Sequence, residues 1–201
     1  MQQWARPFSL IVGLALSASV VSDTTPGDPA PAFLVSDATG ESHTLSQYIG
    51  EWLVLEWFDP GCEAVQQAYA NDALPQLQER YREEGVKWLT IISSKPGPDN
   101  VVEPEEAMAL KGENGLSSEA PILLDETSVM ARAYSVEAAP YVILIDPKGT
   151  LMYRGAPGVA PAETEDRGNS YIEAALESAM AGEPLEQTAT PANGCELDLE
   201  L

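Results

Sequence analysis

Trp52-Leu53-Val54-Leu55-Glu56-Trp57-Phe58-Asp59-Pro60-Gly61-Cys62-Glu63-Ala64-Val65 is the stretch from which the fold can be read. It opens with aliphatic and aromatic residues in a run too short to span a membrane, which predicts a buried strand. Pro60 and Gly61 break that run. Beyond them Ala64, Ala68, Leu74, Leu77 and Tyr81 recur at helical spacing, with Pro75 expected to kink the helix. Cys62 is thereby placed where a turn meets a helix N-terminus. Unpaired backbone N–H groups and the helix dipole there favour negative charge, and the thiolate is the reactive form of cysteine. Cys62 is therefore a candidate redox nucleophile, set against the plainer reading of a cysteine that only packs.

Outward from this stretch, Gly85 ends the helix and Val86 to Ile92 predicts a second buried strand. Strand, helix and strand form a right-handed parallel crossover. Upstream, Phe33 to Val35 and Ser42 to Leu45 flank the turn Asp37–Gly40 as a hairpin, and Ser46 to Gly50 makes a helical turn. Downstream, Ser93 to Ala120 is an excursion with one short helix, Pro104 to Lys111. Ile122 to Leu124 then predicts a strand, Thr127 to Tyr134 a helix, and Tyr141 to Ile145 with Thr150 to Tyr153 a hairpin. Ser170 and Glu173 form a capping box for a helix reaching Met180. Residues 23–182 thus read as one domain, followed by an acidic, proline-containing tail, 183–201, that carries Cys195.

The 201 residues include 10 basic and 32 acidic ones, for a net charge of −22. A surface of that sign repels phosphate backbones and excludes nucleic acid as a natural partner. Arg6 followed by the uncharged stretch Phe8 to Val21 reads as an export signal, residues 1–22, cleaved near Ser22. The alternative is an uncleaved membrane anchor. Export implies oxidising surroundings, where cysteines pair or are used. Cys62 and Cys195 are the two cysteines. They are too few for a disulfide framework, and with His43 the single histidine, no spaced metal ligands are expected. His43 itself reads as a surface residue.

The order of elements resembles a thioredoxin-like fold: an α/β domain with a central mixed sheet flanked by helices and an N-terminal β-hairpin extension. Three segments carry the likeness. Pro31-Ala32-Phe33 with Asp37, Gly40 and Leu45 resembles the lead-in of redoxins. Trp57-Phe58-Asp59-Pro60-Gly61-Cys62 resembles their active-site turn. Tyr134 to Pro140, then Ile143 to Asp146 and Gly149, resembles the cis-proline loop and its hairpin. Residues 30–182 are in this way similar to the alkyl hydroperoxide reductase and thiol-specific antioxidant family. Two departures matter. Val65 stands where thioredoxins carry their second cysteine. Asp59 and Leu55 stand where peroxiredoxins carry Thr or Ser and a proline.

The resemblance implies a thiol-dependent oxidoreductase in which Cys62 attacks a peroxide or a disulfide. Its partners would be a peroxide, a disulfide-containing protein or a small thiol, with a thiol reductant as electron donor and no cofactor. The rival reading is a non-catalytic binding module on the same fold. Cys195 is a resolving thiol, one end of a stapling disulfide, or a loose tail thiol. Glu56 matches the buried acid of thioredoxins, which implies a proton acceptor; otherwise it is a strand-end acid reaching water. Pro140 matches the cis-proline, which would present the Ala139 backbone to an incoming peptide. Pro60 and Gly61 complete the expected substrate contacts; Trp57 either joins them in lining the groove or fills the core, where Trp52 and Trp88 are assigned.

Overall fold

The structure, a computed structural model, describes residues 24–70, 72–94, 102–113, 116, 119–158 and 170–199. The expected export signal lies outside the described residues. Among the described residues no helix is long and apolar enough to cross a membrane.

Five strands form the central sheet: β3 (Leu53–Trp57), β4 (Lys87–Ser93), β5 (Ile122–Asp125), β7 (Tyr141–Ile145) and β8 (Leu151–Gly155), in the order β5-β4-β3-β7-β8. The opening stretch supplies the middle strand. β3 runs parallel to β4 and antiparallel to β7, and every one of its residues is buried. A strand covered on both faces needs no alternation, which is why Leu53-Val54-Leu55 reads as a continuous apolar run.

A separate hairpin, β1 (Leu34–Ser36) with β2 (Ser42–Thr44), leads through a 3-10 turn at Leu45–Tyr48 into β3. The Asp37 carboxylate ties the hairpin turn by accepting from the backbone N–H groups of Thr39 and Glu41, at 2.8 and 2.9 Å. Asp37 also bridges to Leu123, so the hairpin covers the β5 edge of the sheet. The lead-in covers the opposite edge, with Gly27 N–H donating to Leu151 O at 2.8 Å and Ala30 N–H to Gly149 O at 2.8 Å. Among the described residues both outer strands of the sheet thus carry main-chain contacts from flanking segments, which blunts edge-to-edge pairing.

The helices are α1 (Glu63–Ala70), α2 (Ala73–Glu83), α3 (Pro104–Glu113), α4 (Val129–Ala133) and α5 (Tyr171–Met180). Pro75 does not kink one long helix as expected. The chain breaks upstream of it, at Asp72 in the left-handed region, and α2 begins at Ala73. Pro75 thus occupies the first turn of α2, where backbone N–H groups have no helical acceptor to lose. An Arg80–Glu173 ion pair ties α2 to α5 on one face of the sheet. Ser170 caps α5 as its sequence predicts, its hydroxyl accepting from Glu173 N–H.

His43 corrects the surface assignment. It is buried, its Nδ1 lying 2.6 Å from the Tyr48 hydroxyl and its Nε2 3.3 Å from Asp37 Oδ2. The tail also departs from expectation. Residues 188–190 lie along β8, with Arg154 N–H donating to Thr188 O and Thr190 N–H to Arg154 O, both at 3.1 Å. Farther on, β9 (Cys195–Glu196) pairs antiparallel with β6 (Ala138–Ala139).

Candidate active site

Cys62 immediately precedes α1. Its N–H donates to Asp59 O at 3.1 Å and its carbonyl accepts from Gln66 N–H at 3.0 Å, the first hydrogen bond of the helix. The turn before it is held by Asp59 Oδ1, which accepts from Gly61 N–H at 2.8 Å, while the Pro60 carbonyl accepts from Gln66 Nε2 at 2.9 Å. Pro60 and Gly61 keep this turn at the surface, and Cys62 sits just beneath it at 1% exposure.

Opposite this turn lies the Ala139–Pro140 peptide, which is cis. The Cys62 Sγ is 3.4 Å from the Ala139 carbonyl oxygen.

Cys195 reaches this place on β9. It is the Cα partner of Ala139, and its sulfur is bonded to that of Cys62, with an S–S distance of 2.01 Å and Cα atoms 5.7 Å apart. The structure therefore joins the two cysteines across 133 positions of sequence. Of the two, Cys195 is partly exposed and Cys62 is buried.

Glu56 lies wholly inside the protein. One carboxylate oxygen accepts from the Tyr69 hydroxyl at 2.7 Å; the other accepts from Trp88 Nε1 at 2.6 Å and Gln78 Nε2 at 2.5 Å. Burial raises its pKa, and these three donors oppose the rise without cancelling it. The same burial, joined by the neighbouring carboxylate, pushes the Tyr69 phenol well above its ordinary value. Glu56 is thus an interior acid rather than a strand end reaching water.

Trp57, read as either core or groove, has no exposed surface and belongs to the core. Its indole N–H donates to Ser93 Oγ at 3.1 Å and its ring packs against Tyr134. Side chains alternate along β3, so Trp57 and Glu56 point to opposite faces, and Trp57 supports the site from within the core. Asp37, Glu41 and His43 bring candidate metal-ligating atoms within 4.8 Å of one another, a grouping not expected from sequence. Asp37 and His43 are already engaged by the hairpin turn and by Tyr48.

A family model described as AhpC/TSA matches residues 26–154. The chain belongs to this family. The match takes in the hairpin, the Cys62 turn, the cis-proline loop and all but the last residue of β8, and stops before the segment that brings Cys195 back. Among curated relatives, the thiol-disulfide oxidoreductases ResA of Geobacillus kaustophilus and Geobacillus thermodenitrificans are each 30% identical over 128 residues. That alignment covers 62% of this chain and 66% of the relative. The chain thus spans just under two thirds of the length of the curated relatives it matches. Among solved structures, a hypothetical protein of Sinorhizobium meliloti 1021 superposes with a TM-score of 0.73 at 24% identity, covering 89% of this chain and 97% of the other. An uncharacterized conserved protein of Geobacillus kaustophilus does so with a TM-score of 0.72 at 23% identity, covering 87% and 92%. The fold is thioredoxin-like.

Arg154 is a site residue that sequence reasoning missed. Its guanidinium donates to Tyr141 Oη at 2.7 Å, to Tyr134 O at 3.1 Å, to Ser135 O at 2.8 Å and to Thr24 O. Tyr134, Ser135 and Tyr141 flank the cis-proline loop, and Ser135 holds a left-handed backbone. One planar cation with a fork of donors fixes the approach to Pro140. The available signal was a single arginine in a strand otherwise made of apolar residues and glycine.

Proposed function

We propose that this chain is an exported thiol-dependent oxidoreductase that reduces disulfides through Cys62, with Cys195 as the resolving thiol. The observation that carries this reading is the pairing of the two sulfurs at the N-terminal end of α1, beside the cis-proline peptide. A cysteine that merely packed would have no reason to meet the chain's other cysteine there. The names of the ResA relatives support disulfide rather than peroxide as the oxidant. So do Asp59 and Leu55, which stand where the peroxide-reducing pattern needs other residues.

In the reaction, the Cys62 thiolate attacks one sulfur of a substrate disulfide. A Cys62–substrate disulfide forms, and the second substrate sulfur leaves as thiolate and takes up a proton. The Cys195 thiolate then attacks Cys62 Sγ, the substrate's remaining sulfur departs with the bonding electron pair, and the Cys62–Cys195 disulfide is left. A thiol reductant returns both sulfurs to the reduced form. Glu56 acts as the interior proton acceptor, its raised pKa suiting it to hold a proton that an ordinary surface carboxylate would give up.

The test is reduction of a disulfide-bonded protein by wild type, Cys62→Ser and Cys195→Ser chains with a dithiol donor. Wild type turns over, Cys62→Ser is inactive, and Cys195→Ser accumulates a covalent complex through Cys62 that mass spectrometry detects. Undiminished turnover by Cys62→Ser would refute the assignment. A wild type that reduces nothing, with a disulfide untouched by reductant, would leave the bond as a staple.

A further inference from the structure

We propose that residues 194–197 occupy the molecule's own peptide groove as a tethered substrate, and that the groove selects extended peptides with glycine immediately before the reacting cysteine and an apolar residue two positions after it. The proposal rests on the redox reading of Cys62 and Cys195 above.

The segment is held as an added strand. Ala138 faces Glu196, Ala139 faces Cys195, and Leu197 N–H donates to Glu137 O at 2.7 Å. Main-chain pairing of this kind holds any extended peptide, so discrimination falls to the side chains on either side of the cysteine.

Before the cysteine, space is the discriminator. A Cβ built on Gly194 would overlap the Ala139 carbonyl oxygen and carbon and come within 2.9 Å of Pro140 Cδ. Gly194 has no left-handed backbone that would call for glycine on conformational grounds. What excludes a side chain is the cis-proline peptide itself, and that peptide is backbone, which cannot swing aside as a flexible side chain does. After the cysteine, alternation along the strand sends Glu196 outward and Leu197 inward. Glu196 is exposed and Leu197 is buried against the core. The pattern read from the docked tail is glycine, cysteine, any polar residue, then an apolar residue.

The inference extends to external peptides because they would meet the same carbonyl and the same apolar recess. A peptide thiolate attacking a Cys62–glutathione disulfide forms the Cys62–peptide disulfide and expels glutathione as thiolate, so the exchange needs no other reactant.

The first measurement uses the full chain in glutathione buffers and reads how strongly Cys195 competes with glutathione for Cys62. Gly194→Ala should lower that effective concentration by about tenfold or more, while Asn193→Ala in the same tail should leave it within about twofold. The second uses the full-length Cys195→Ser chain carrying glutathione on Cys62. It is exposed to the peptide Pro-Ala-Asn-Gly-Cys-Glu-Leu-Asp-Leu and to versions with alanine for the glycine or serine for the first leucine. The parent peptide should form the mixed disulfide with an equilibrium constant about tenfold above the alanine version, and several-fold above the serine version. Equal constants for the three peptides would overturn the proposed selectivity whatever the tail does. Failure of wild-type Cys62 and Cys195 to pair at any glutathione ratio would instead strike the redox reading, while the peptide comparison would still decide what the groove selects.

Discussion

Ala139 and Cys195 are Cα partners in an antiparallel pair, so the tail cysteine is delivered to Cys62 on a strand rather than on a free end. The arrangement also decides which sulfur meets solvent. Cys62 is 1% exposed and Cys195 only partly covered. An incoming reductant thiolate should attack Cys195 and expel Cys62. Acid quenching of the oxidised chain early in its reaction with excess glutathione, followed by peptide mapping, should find the adduct on Cys195. An adduct mainly on Cys62 would contradict this order.

The bridge closes a loop of 133 positions. By the chain-entropy model a loop of that size adds up to about 5 kcal/mol by restricting the unfolded chain. Urea denaturation with and without a dithiol should show a loss of up to that amount on reduction. Cys195→Ser should match the reduced wild type and lose its response to the dithiol.

Glu56 supplies a pH dependence whose sign can be worked out. Burial raises its folded pKa above the unfolded value. Below the unfolded pKa the carboxyl is neutral in both states and costs nothing. As pH rises from there to the folded pKa, the unfolded chain gives up a proton that the folded chain keeps, and stability falls by up to about 1.4 kcal/mol per pH unit. Glu56→Gln keeps an oxygen for the Trp88 and Gln78 donors and a donor for the Tyr69 hydroxyl. It should flatten this slope and make the protein more stable above the folded pKa. A variant with the same slope as wild type would mean that another group carries it. If Glu56 also accepts the catalytic proton, the variant should be slower at pH values where wild type is active.

Arg154→Lys should not be a conservative change. A lysine ammonium cannot match a guanidinium that reaches Tyr141, Tyr134, Ser135 and Thr24 at once. Stranded carbonyls and a loosened proline loop should cost about 1–3 kcal/mol. Disulfide exchange at Cys62 should slow as well. Unchanged urea stability would show that the four contacts carry no net energy.

Much of this was legible in the residues. The run Leu53 to Trp57 is the central strand, and the hairpin, the capped α5 and the β7–β8 pair fall within a residue or two of where turn and cap chemistry put them. What escaped reading has physical reasons. The helical pattern continues past Pro75 and so predicts a kink, yet proline costs little in a first turn, and the break falls at Asp72. His43 gave no burial signal, since its partners Asp37 and Tyr48 are neighbours made by the hairpin and not by any periodic pattern. The tail was the largest miss. A two-residue strand held by main-chain hydrogen bonds leaves no mark of propensity or alternation, and a glycine required by a distant carbonyl looks like any turn glycine.

Past the lead-in's contacts, the tail lies along the outer side of β8 before it reaches Ala139, and Gly155 accommodates it where any Cβ would run into Thr190. Once the sulfur link opens, only noncovalent contacts hold that ribbon down, and none of them tells one molecule's ribbon from another's. Crowded reduced molecules can therefore trade these segments, each lending its ending to a neighbour, and reoxidation would lock the exchange as covalent pairs.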